Sequence, residues 1–225
     1  MPLYTHQDNK QDRLIMIHVP KTAGTSQIKA LRRNKYREER LLPKYSLQNV
    51  RRKLQGTRFP ASVHGKAKEH KEVLGERAWE DIFSFAFVRN PWALMVSNYF
   101  WWLQIASDSK HERLSKQAEE IRCLGSFEKF LNSAYGTEMI VDHYGSMADW
   151  IVDDKNQIIV KFVGKFENLE NDWQHIGRII NLKDTRLFHH NKSNHFSYRD
   201  YYNPQTKKLI ENRFEWIIEQ FEYKF

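Results

Sequence analysis

Two short runs of apolar residues, each followed by a polar break, organise the first half of the sequence. The first run lies at residues 14–19 and reads LIMIHV, and the second lies at residues 82–88 and reads IFSFAFV. Near-continuous apolar runs of this length are typical of strands that are buried on both faces of a parallel sheet. Predicted helices begin near Gln27 and extend from Trp92 to Trp102. The pattern therefore predicts two strand-loop-helix units.

The second half of the sequence continues this alternation of strands and helices. Asp153–Asn156 separate two apolar triplets and predict a hairpin-like turn. An apolar run from Phe162 leads to a predicted helix that starts near Leu169 and reaches about Ile180. Over residues 207–221 apolar residues recur at helical spacing, which predicts one last helix with its apolar face in the core. Such alternation predicts an α/β fold with a mostly parallel sheet.

Three segments carry weaker patterns. Residues 1–13 are polar and predict a flexible N-terminal tail. We predict that residues 75–79 form a connecting segment that leads into the second strand. Residues 104–137 are highly charged with a helical pattern, and Ser126 is a candidate cap for the helix FEKFLNSAY. These segments connect the predicted elements without adding a second domain.

Length and composition place the chain among single-domain globular proteins. It has 225 residues, of which 40% are hydrophobic and 14% aromatic, enough for one sizeable core. The sequence has no run of about eighteen apolar residues and its first residues are polar, so we expect neither a membrane span nor a signal peptide. Cys123 is the only cysteine, which excludes an internal disulfide.

The net charge of +8 raises the alternative of a nucleic-acid-binding protein. The densest basic stretch covers residues 29–58, and it contains no recognisable nucleic-acid-binding motif. A small-molecule ligand with several negative charges accounts for the same charge balance. We therefore expect no nucleic-acid partner.

Residues 21–26, KTAGTS, form a short loop with the features of an anion site. Pro20 ends the first strand, because a central strand cannot spare a backbone donor. Small and hydroxylated side chains leave the N–H groups of the helix start open, and Thr25 or Ser26 can cap the helix. A helix start beside Lys21 suits a terminal phosphate or sulfate. The P-loop motif GxxxxGK[ST] is absent because the lysine precedes the glycine, and a tight turn with a solvated lysine is the alternative.

The second predicted strand ends at Arg89, which thus lies at the carboxyl end of that strand. Asn90 can cap the helix that follows, and Pro91 fits its first turn, where a missing N–H costs nothing. Ser97 lies on the same helix. Basic and hydroxyl groups at the carboxyl ends of two strands are what an open α/β sheet presents to a nucleotide. The alternatives are an ion pair for Arg89 and a tolerated mid-helix position for Ser97.

Together, PKTAGTS at residues 20–26 and FVRNPWALMVSNY at residues 87–99 resemble the paired nucleotide-binding motifs of sulfotransferases that use 3′-phosphoadenosine-5′-phosphosulfate (PAPS). Residues 148–173, residues 189–203 and the closing FEYKF resemble the bacterial and carbohydrate branch of that family. The resemblance implies one P-loop NTPase-like α/β domain over residues 14–225, with a mostly parallel sheet flanked by helices. FEYKF departs from the family pattern FGYxF, because it has Glu222 in place of glycine.

The resemblance also implies a donor site. The first loop would hold the 5′-phosphosulfate, and Arg89 and Ser97 would hold the 3′-phosphate. Lys192 and Ser193 are further candidates that would close over the phosphates of the nucleotide. The product would be adenosine 3′,5′-bisphosphate (PAP), and the transfer requires no metal. The candidate donor-binding residues of the first loop are Lys21, Thr22, Ala23, Gly24, Thr25 and Ser26.

Lys21 and His64 are the candidate catalytic residues. Sulfuryl transfer needs alignment of the reactants and compensation of the charge that develops on the leaving group, which an ammonium can supply. An acceptor hydroxyl must lose its proton, and the imidazole of His64 suits a general base. Related carbohydrate enzymes have His-Gly-His where this sequence has His64-Gly65-Lys66. A substrate contact or a structural role for His64 therefore stays open.

These assignments predict a PAPS-dependent sulfotransferase whose acceptor, by resemblance, is a hydroxyl of a carbohydrate or glycoconjugate. The expected location is cytoplasmic, because eukaryotic carbohydrate sulfotransferases are usually anchored in the secretory pathway and this sequence shows no such anchor. We place acceptor recognition or a mobile lid in residues 104–137, since family members vary most in such connections. A catalytically inactive nucleotide-binding protein and a nucleotide kinase-like phosphotransferase are the alternatives. The sequence identifies neither the acceptor nor the oligomeric state.

Overall fold

The computed structural model describes residues 3–39, 65–105, 112–140, 143–144, 146–188 and 196–225. In these ranges the strands are β1 (Leu3–His6), β2 (Arg13–Ile17), β3 (Tyr36–Glu38), β4 (Phe83–Val88), β5 (Glu138–Ile140), β6 (His143–Tyr144) and β7 (Phe162–Lys165). The α-helices are α1 (Gly24–Arg33), α2 (Ala67–Leu74), α3 (Glu76–Asp81), α4 (Pro91–Gln104), α5 (Glu112–Leu124), α6 (Phe127–Leu131), α7 (Ala148–Ile151), α8 (Leu169–Ile179), α9 (Pro204–Arg213) and α10 (Glu215–Gln220). The predicted α/β fold class is confirmed.

The contacts within the chain define two compact units. The first comprises Met1–Val88 and Ala148–His190, and the second comprises Arg89–Met147 and Asn191–Phe225. The first unit contains a five-stranded sheet, and the second contains the two-stranded pair β5–β6 among helices. Within the described ranges, no helix combines the length and apolar character that crossing a membrane requires.

The sheet of the first unit has the strand order β3-β1-β2-β4-β7. β2, β4 and β7 are parallel, with Ile17 opposite Ala86 and Val88 opposite Lys165. β1 pairs antiparallel with β2 and with β3. The two strands that the apolar runs predicted therefore lie side by side, and their loops leave the same edge of the sheet.

β1 corrects the prediction of a flexible tail over residues 1–13. Leu3 and Tyr4 are 0% and 2% exposed, and they lie opposite Ile15 and Leu14 of β2. A strand of only four residues gives no periodic signal in the sequence. Its order comes from pairing with two neighbouring strands, which a local pattern does not show.

One face of this sheet packs against α1 and α8. Leu14, Met16, Phe85 and Phe87 are buried on it with residues from the two helices. The ring of Phe85 meets the ring of Trp173 edge to face, with 6.0 Å between centroids. Alternate residues of β2 and β4 supply this core. The residues between them, Ile15, Ile17 and Ala86, are buried as well, which confirms the predicted burial of both faces.

The second unit confirms the predicted cap at Ser126 and corrects one predicted helix. Ser126 Oγ accepts a hydrogen bond from the N–H of Lys129 and caps α6. The predicted single helix over residues 207–221 is instead α9 followed by α10, with a break at Phe214 (φ −116°, ψ 22°). Phe214 is 1% exposed, so its ring is buried at the break. No glycine or proline marks that position, and the apolar spacing continues across it.

Two connections of the first unit also differ from the prediction. The turn at Asp153–Asn156 is present, since Asp153 N–H donates to Gln157 O at 3.0 Å, but the preceding triplet belongs mostly to α7. Residues 76–81 form the short helix α3, whereas the prediction was a connecting segment. The buried indole of Trp79 anchors that helix by donating from Nε1 to Ile159 O at 3.0 Å.

Candidate functional site

The loop between β2 and α1 is the candidate anion site of the first unit. Thr22 is 2% exposed, and its hydroxyl donates to Val19 O at 2.8 Å. The side-chain amide of Gln27 donates to Thr22 O at 2.9 Å. These two bonds hold the loop against both the end of the strand region and the first turn of the helix.

Two residues of this loop, Lys21 and Ala23, have the left-handed backbone conformation, with φ of 64° and 65°. The conformation costs a residue other than glycine roughly 1–2 kcal/mol. Such conformations persist where the surrounding structure fixes them, and they concentrate at ligand sites. Turns of this kind can also point successive N–H groups into one concavity that binds anions.

The start of α1 corrects the predicted cap. The helix begins at Gly24, after Ala23 at the cap position without a side-chain hydrogen bond, and neither Thr25 nor Ser26 caps it. The N–H of Ser26 donates to Ala23 O at 2.9 Å, so this group already has an acceptor. Gly24 and Thr25 occupy the first two helical positions, where an α-helix provides no acceptor for the backbone N–H. The side chain of Thr25 is exposed, whereas Ser26 is 4% exposed.

Gly24 is in close contact with His18. A Cβ atom at position 24 would lie 2.1 Å from Cδ2 and Nε2 of the His18 ring. Contacts this short do not occur between real atoms, so only glycine fits while the ring stays in place. His18 therefore fixes the approach of the strand region to the start of α1.

Arg89 and Ser97 belong to the second unit. Arg89 lies just before α4, and Ser97 lies on that helix. Asn90 Oδ1 accepts from the N–H of Ala93 at 3.2 Å, and Pro91 occupies the first turn, as predicted. Arg89 is half-buried directly before this cap, and Ser97 is 4% exposed within the helix. At ~1.5 Å of rise per residue, Ser97 lies about 9 Å along the helix from Pro91.

Several predicted site residues lie outside the described residues. These are His64, Lys192 and Ser193, together with part of the connection at residues 104–137. The described part of that connection forms α5, α6 and a 3₁₀ turn at Ala134–Thr137 in the second unit. Its role as an acceptor-binding segment or lid stays a prediction.

His70 was not singled out from the sequence. It lies on α2, is 0% exposed, and packs on Gly65, where a Cβ atom would be 2.4 Å from its Nε2. Burial lowers the pKa of His70 to about 3, so its ring is neutral at physiological pH. The sequence does carry a signal for His70, because the helical segment that follows His64-Gly65-Lys66 contains this second histidine.

Lys165 is the second residue that sequence reasoning missed. It ends β7 opposite Val88, and its backbone N–H donates to Asp172 Oδ2 at 2.7 Å. Lys21 follows β2, so parallel strands of the first unit carry lysines at the edge where their carboxyl ends lie. In α/β sheets ligands bind at that edge. The sequence signal was an apolar strand ending in a basic residue, FVGK.

Comparison with known proteins gives one match, to a family model. The model of the Sulfotransferase family matches residues 7–224. No curated protein and no solved structure gives a significant match to the chain. The family match supports sulfuryl transfer as the general chemistry and a transferase as the class of protein. Because the match covers nearly the whole sequence, the chain belongs to the sulfotransferase family.

Proposed function

We propose that the protein transfers a sulfuryl group from PAPS to an acceptor hydroxyl of a carbohydrate or glycoconjugate. The observation that carries the proposal is the loop at Lys21–Ser26, which joins a central parallel strand to the start of α1 through two left-handed residues. A helix start preceded by such a loop binds phosphate or sulfate. Membership of the sulfotransferase family makes a phosphosulfate the natural ligand.

In this proposal each motif binds one end of the donor. Residues 21–26 hold the 5′-phosphosulfate through backbone N–H groups at the helix start and through the lysine ammonium. Arg89 and Ser97 hold the 3′-phosphate, since a guanidinium matches phosphate geometry with two parallel hydrogen bonds. Lys192 and Ser193 close over the phosphates.

The transfer itself requires alignment and charge compensation. The acceptor oxygen forms a bond to sulfur while the bond from sulfur to the bridging phosphate oxygen breaks, and PAP leaves. Negative charge develops on that bridging oxygen, and the Lys21 ammonium stabilises it. His64 takes the proton that the acceptor hydroxyl loses, which is worth roughly a hundred- to ten-thousandfold in rate.

Calorimetric titration with PAP, ADP and AMP tests the donor assignment directly. We expect PAP to bind more tightly than either nucleotide that lacks a 3′-phosphate, and Arg89→Ala to lose about tenfold or more in PAP affinity, which corresponds to about 1.4 kcal/mol. Arg77→Ala is the matched control, because it removes an exposed arginine of α3 and the same net charge. Equal affinity for PAP and AMP in the wild-type protein would overturn the proposal.

Activity is tested with PAPS and a panel of saccharide acceptors. We expect sulfated product from the wild-type protein, and strongly reduced turnover for Lys21→Ala and His64→Ala. Unchanged turnover for His64→Ala would remove it as the general base. PAP binding without turnover on any acceptor would favour a protein that binds the nucleotide without catalysis.

A further inference from the structure

Residues 222–225 fold back onto the first turn of α4, next to Arg89. We infer that this segment is a positioning element for the arginine, and that Phe225 and Asn90 set the affinity for the 3′-phosphate without touching the nucleotide. The inference rests on the proposed role of Arg89 in donor binding. The contacts from which it is argued join residues of the second unit.

A tight turn at Glu222 directs the segment. Glu222 has φ of 52°, and its N–H donates to Glu219 O at 3.3 Å. The next N–H, of Tyr223, donates to Ile218 O at 2.9 Å. This is the bonding pattern of a helix that ends in a left-handed residue, so the chain reverses direction directly after α10.

Asn90 links the reversed segment to α4. Its Oδ1 caps the helix by accepting from Ala93 N–H, and its Nδ2 donates to Lys224 O at 3.0 Å. The side chain is 6% exposed, so both bonds are shielded from water. One amide therefore ties the helix start to a backbone carbonyl of the segment.

The ring of Phe225, the residue after Lys224, packs in an aromatic cluster. Its centroid lies 5.5 Å from Trp92, 5.6 Å from Tyr202 and 5.8 Å from Tyr198. The Lys207 ammonium lies 4.4 Å from the same centroid, on the ring face. The cluster covers the second residue of α4 with aromatic surface.

Hydrogen bonds hold Trp92 within this cluster. Its Nε1 donates to Lys207 O at 3.1 Å, and its carbonyl accepts from the Tyr202 hydroxyl at 2.9 Å. Burial raises the pKa of Tyr202, so the hydroxyl keeps its proton and remains a donor. The start of α4 is thus fixed by both its backbone and its side chains.

The position of Arg89 depends on this arrangement, because Arg89 and Asn90 are joined by one peptide bond. A planar guanidinium recognises phosphate through paired hydrogen bonds that require a defined position and orientation. Loosening the start of α4 should therefore weaken the contribution of the 3′-phosphate and leave the contribution of the 5′-end unchanged.

The test measures dissociation constants of PAP and AMP and the melting temperature for the wild type and for three variants at position 225 or 217. For Phe225→Ala we expect PAP affinity to fall about tenfold and AMP affinity to change less than about twofold. Phe225→Tyr keeps the ring and should restore PAP affinity. Ile217→Val is the control, because it trims a buried side chain of α10 that makes none of the contacts described for residues 222–225.

A second variant covers the case in which Phe225→Ala does not fold. Asn90→Ser retains an oxygen that can cap α4 but lacks the amide that reaches Lys224 O, and it should show the same selective loss. A wild-type protein with no preference for PAP over AMP would refute the donor assignment itself. A wild-type preference that survives in folded Phe225→Ala or Asn90→Ser would overturn the positioning role alone.

Discussion

Single residues with positive φ lie at two turns that matter for the candidate site. Lys21 and Ala23 shape the loop before α1, and Glu222 reverses the chain after α10. Only Glu222 could be singled out from the sequence, because glycine stands at that position in the family pattern that FEYKF resembles. Lys21 and Ala23 carry no such signal, since their conformation is fixed by bonds such as Thr22 to Val19 and by the contact of His18 with Gly24.

Replacing Glu222 with glycine should stabilise the protein. Glycine adopts positive φ without steric cost, so Glu222→Gly should raise the free energy of unfolding by about 1 kcal/mol. Glu219→Gly makes the same chemical change at an exposed position inside α10 and should lower it by about 1 kcal/mol. Urea denaturation of both variants decides the point, and a loss of stability for Glu222→Gly would show that its side chain has a role of its own.

His70 should make the stability of the fold depend on pH. Its pKa is about 3 in the folded protein and near 6.5 when unfolded, so between these values the unfolded chain binds the extra proton. The free energy of unfolding should therefore fall as pH drops below 6.5, by at most ~1.4 kcal/mol per pH unit. Above pH 6.5 both states leave His70 unprotonated, so this loss of stability should be absent.

The His70→Leu variant separates this effect from other titrations. Urea denaturation between pH 4.5 and 7.5 should give a shallower decline for His70→Leu than for the wild type. His175→Leu makes the same substitution at an exposed position of α8 and serves as the matched control. Parallel curves for the wild type and His70→Leu would contradict the assignment of a buried, neutral imidazole.

Among the secondary-structure elements, the strands and helix caps that depend on residues close together in the sequence were predicted correctly. The buried strands β2 and β4 and the caps Asn90 and Ser126 follow from apolar runs and from side chains that accept backbone bonds. β1 was missed because its order comes from pairing with β2 and β3, and the break at Phe214 was missed because no glycine or proline marks it. Family resemblance predicted the positions of the site motifs, and the structure added the loop conformation and His70.

Arg213, at the end of α9, shows how one distant contact joins elements of the second unit. Its guanidinium donates to Gly136 O and to Leu131 O, at the ends of the 3₁₀ turn and α6. Arg213→Met should lower the free energy of unfolding by about 2–3 kcal/mol, because two carbonyls lose a charged donor. Arg178→Met, at an exposed position of α8, should change it by about 0.5 kcal/mol or less. Equal changes in the free energy of unfolding for the two variants, measured by urea denaturation, would show that the hydrogen bonds of Arg213 do not stabilise the protein.

For the whole molecule, the net charge of +8 permits two kinds of anionic partner. A general attraction to polyanions depends on the release of many counterions and weakens steeply with salt. A site for one small nucleotide neutralises only a few charges in a fixed geometry, and its affinity should depend less on salt. The two cases can therefore be separated by one titration series.

PAP and a single-stranded DNA oligonucleotide should respond differently to salt. Between 50 and 200 mM salt, single-stranded DNA that contacts six to ten lysines or arginines would lose about three-hundredfold or more in affinity, whereas PAP should lose less than about tenfold. We also expect PAP to remain bound in the presence of excess DNA at 200 mM salt. Arg89→Ala should weaken PAP binding specifically, while general DNA binding follows net charge and should change equally in Arg89→Ala and Arg77→Ala. DNA binding that persists at 200 mM salt and is indifferent to PAP would instead identify a separate nucleic-acid surface.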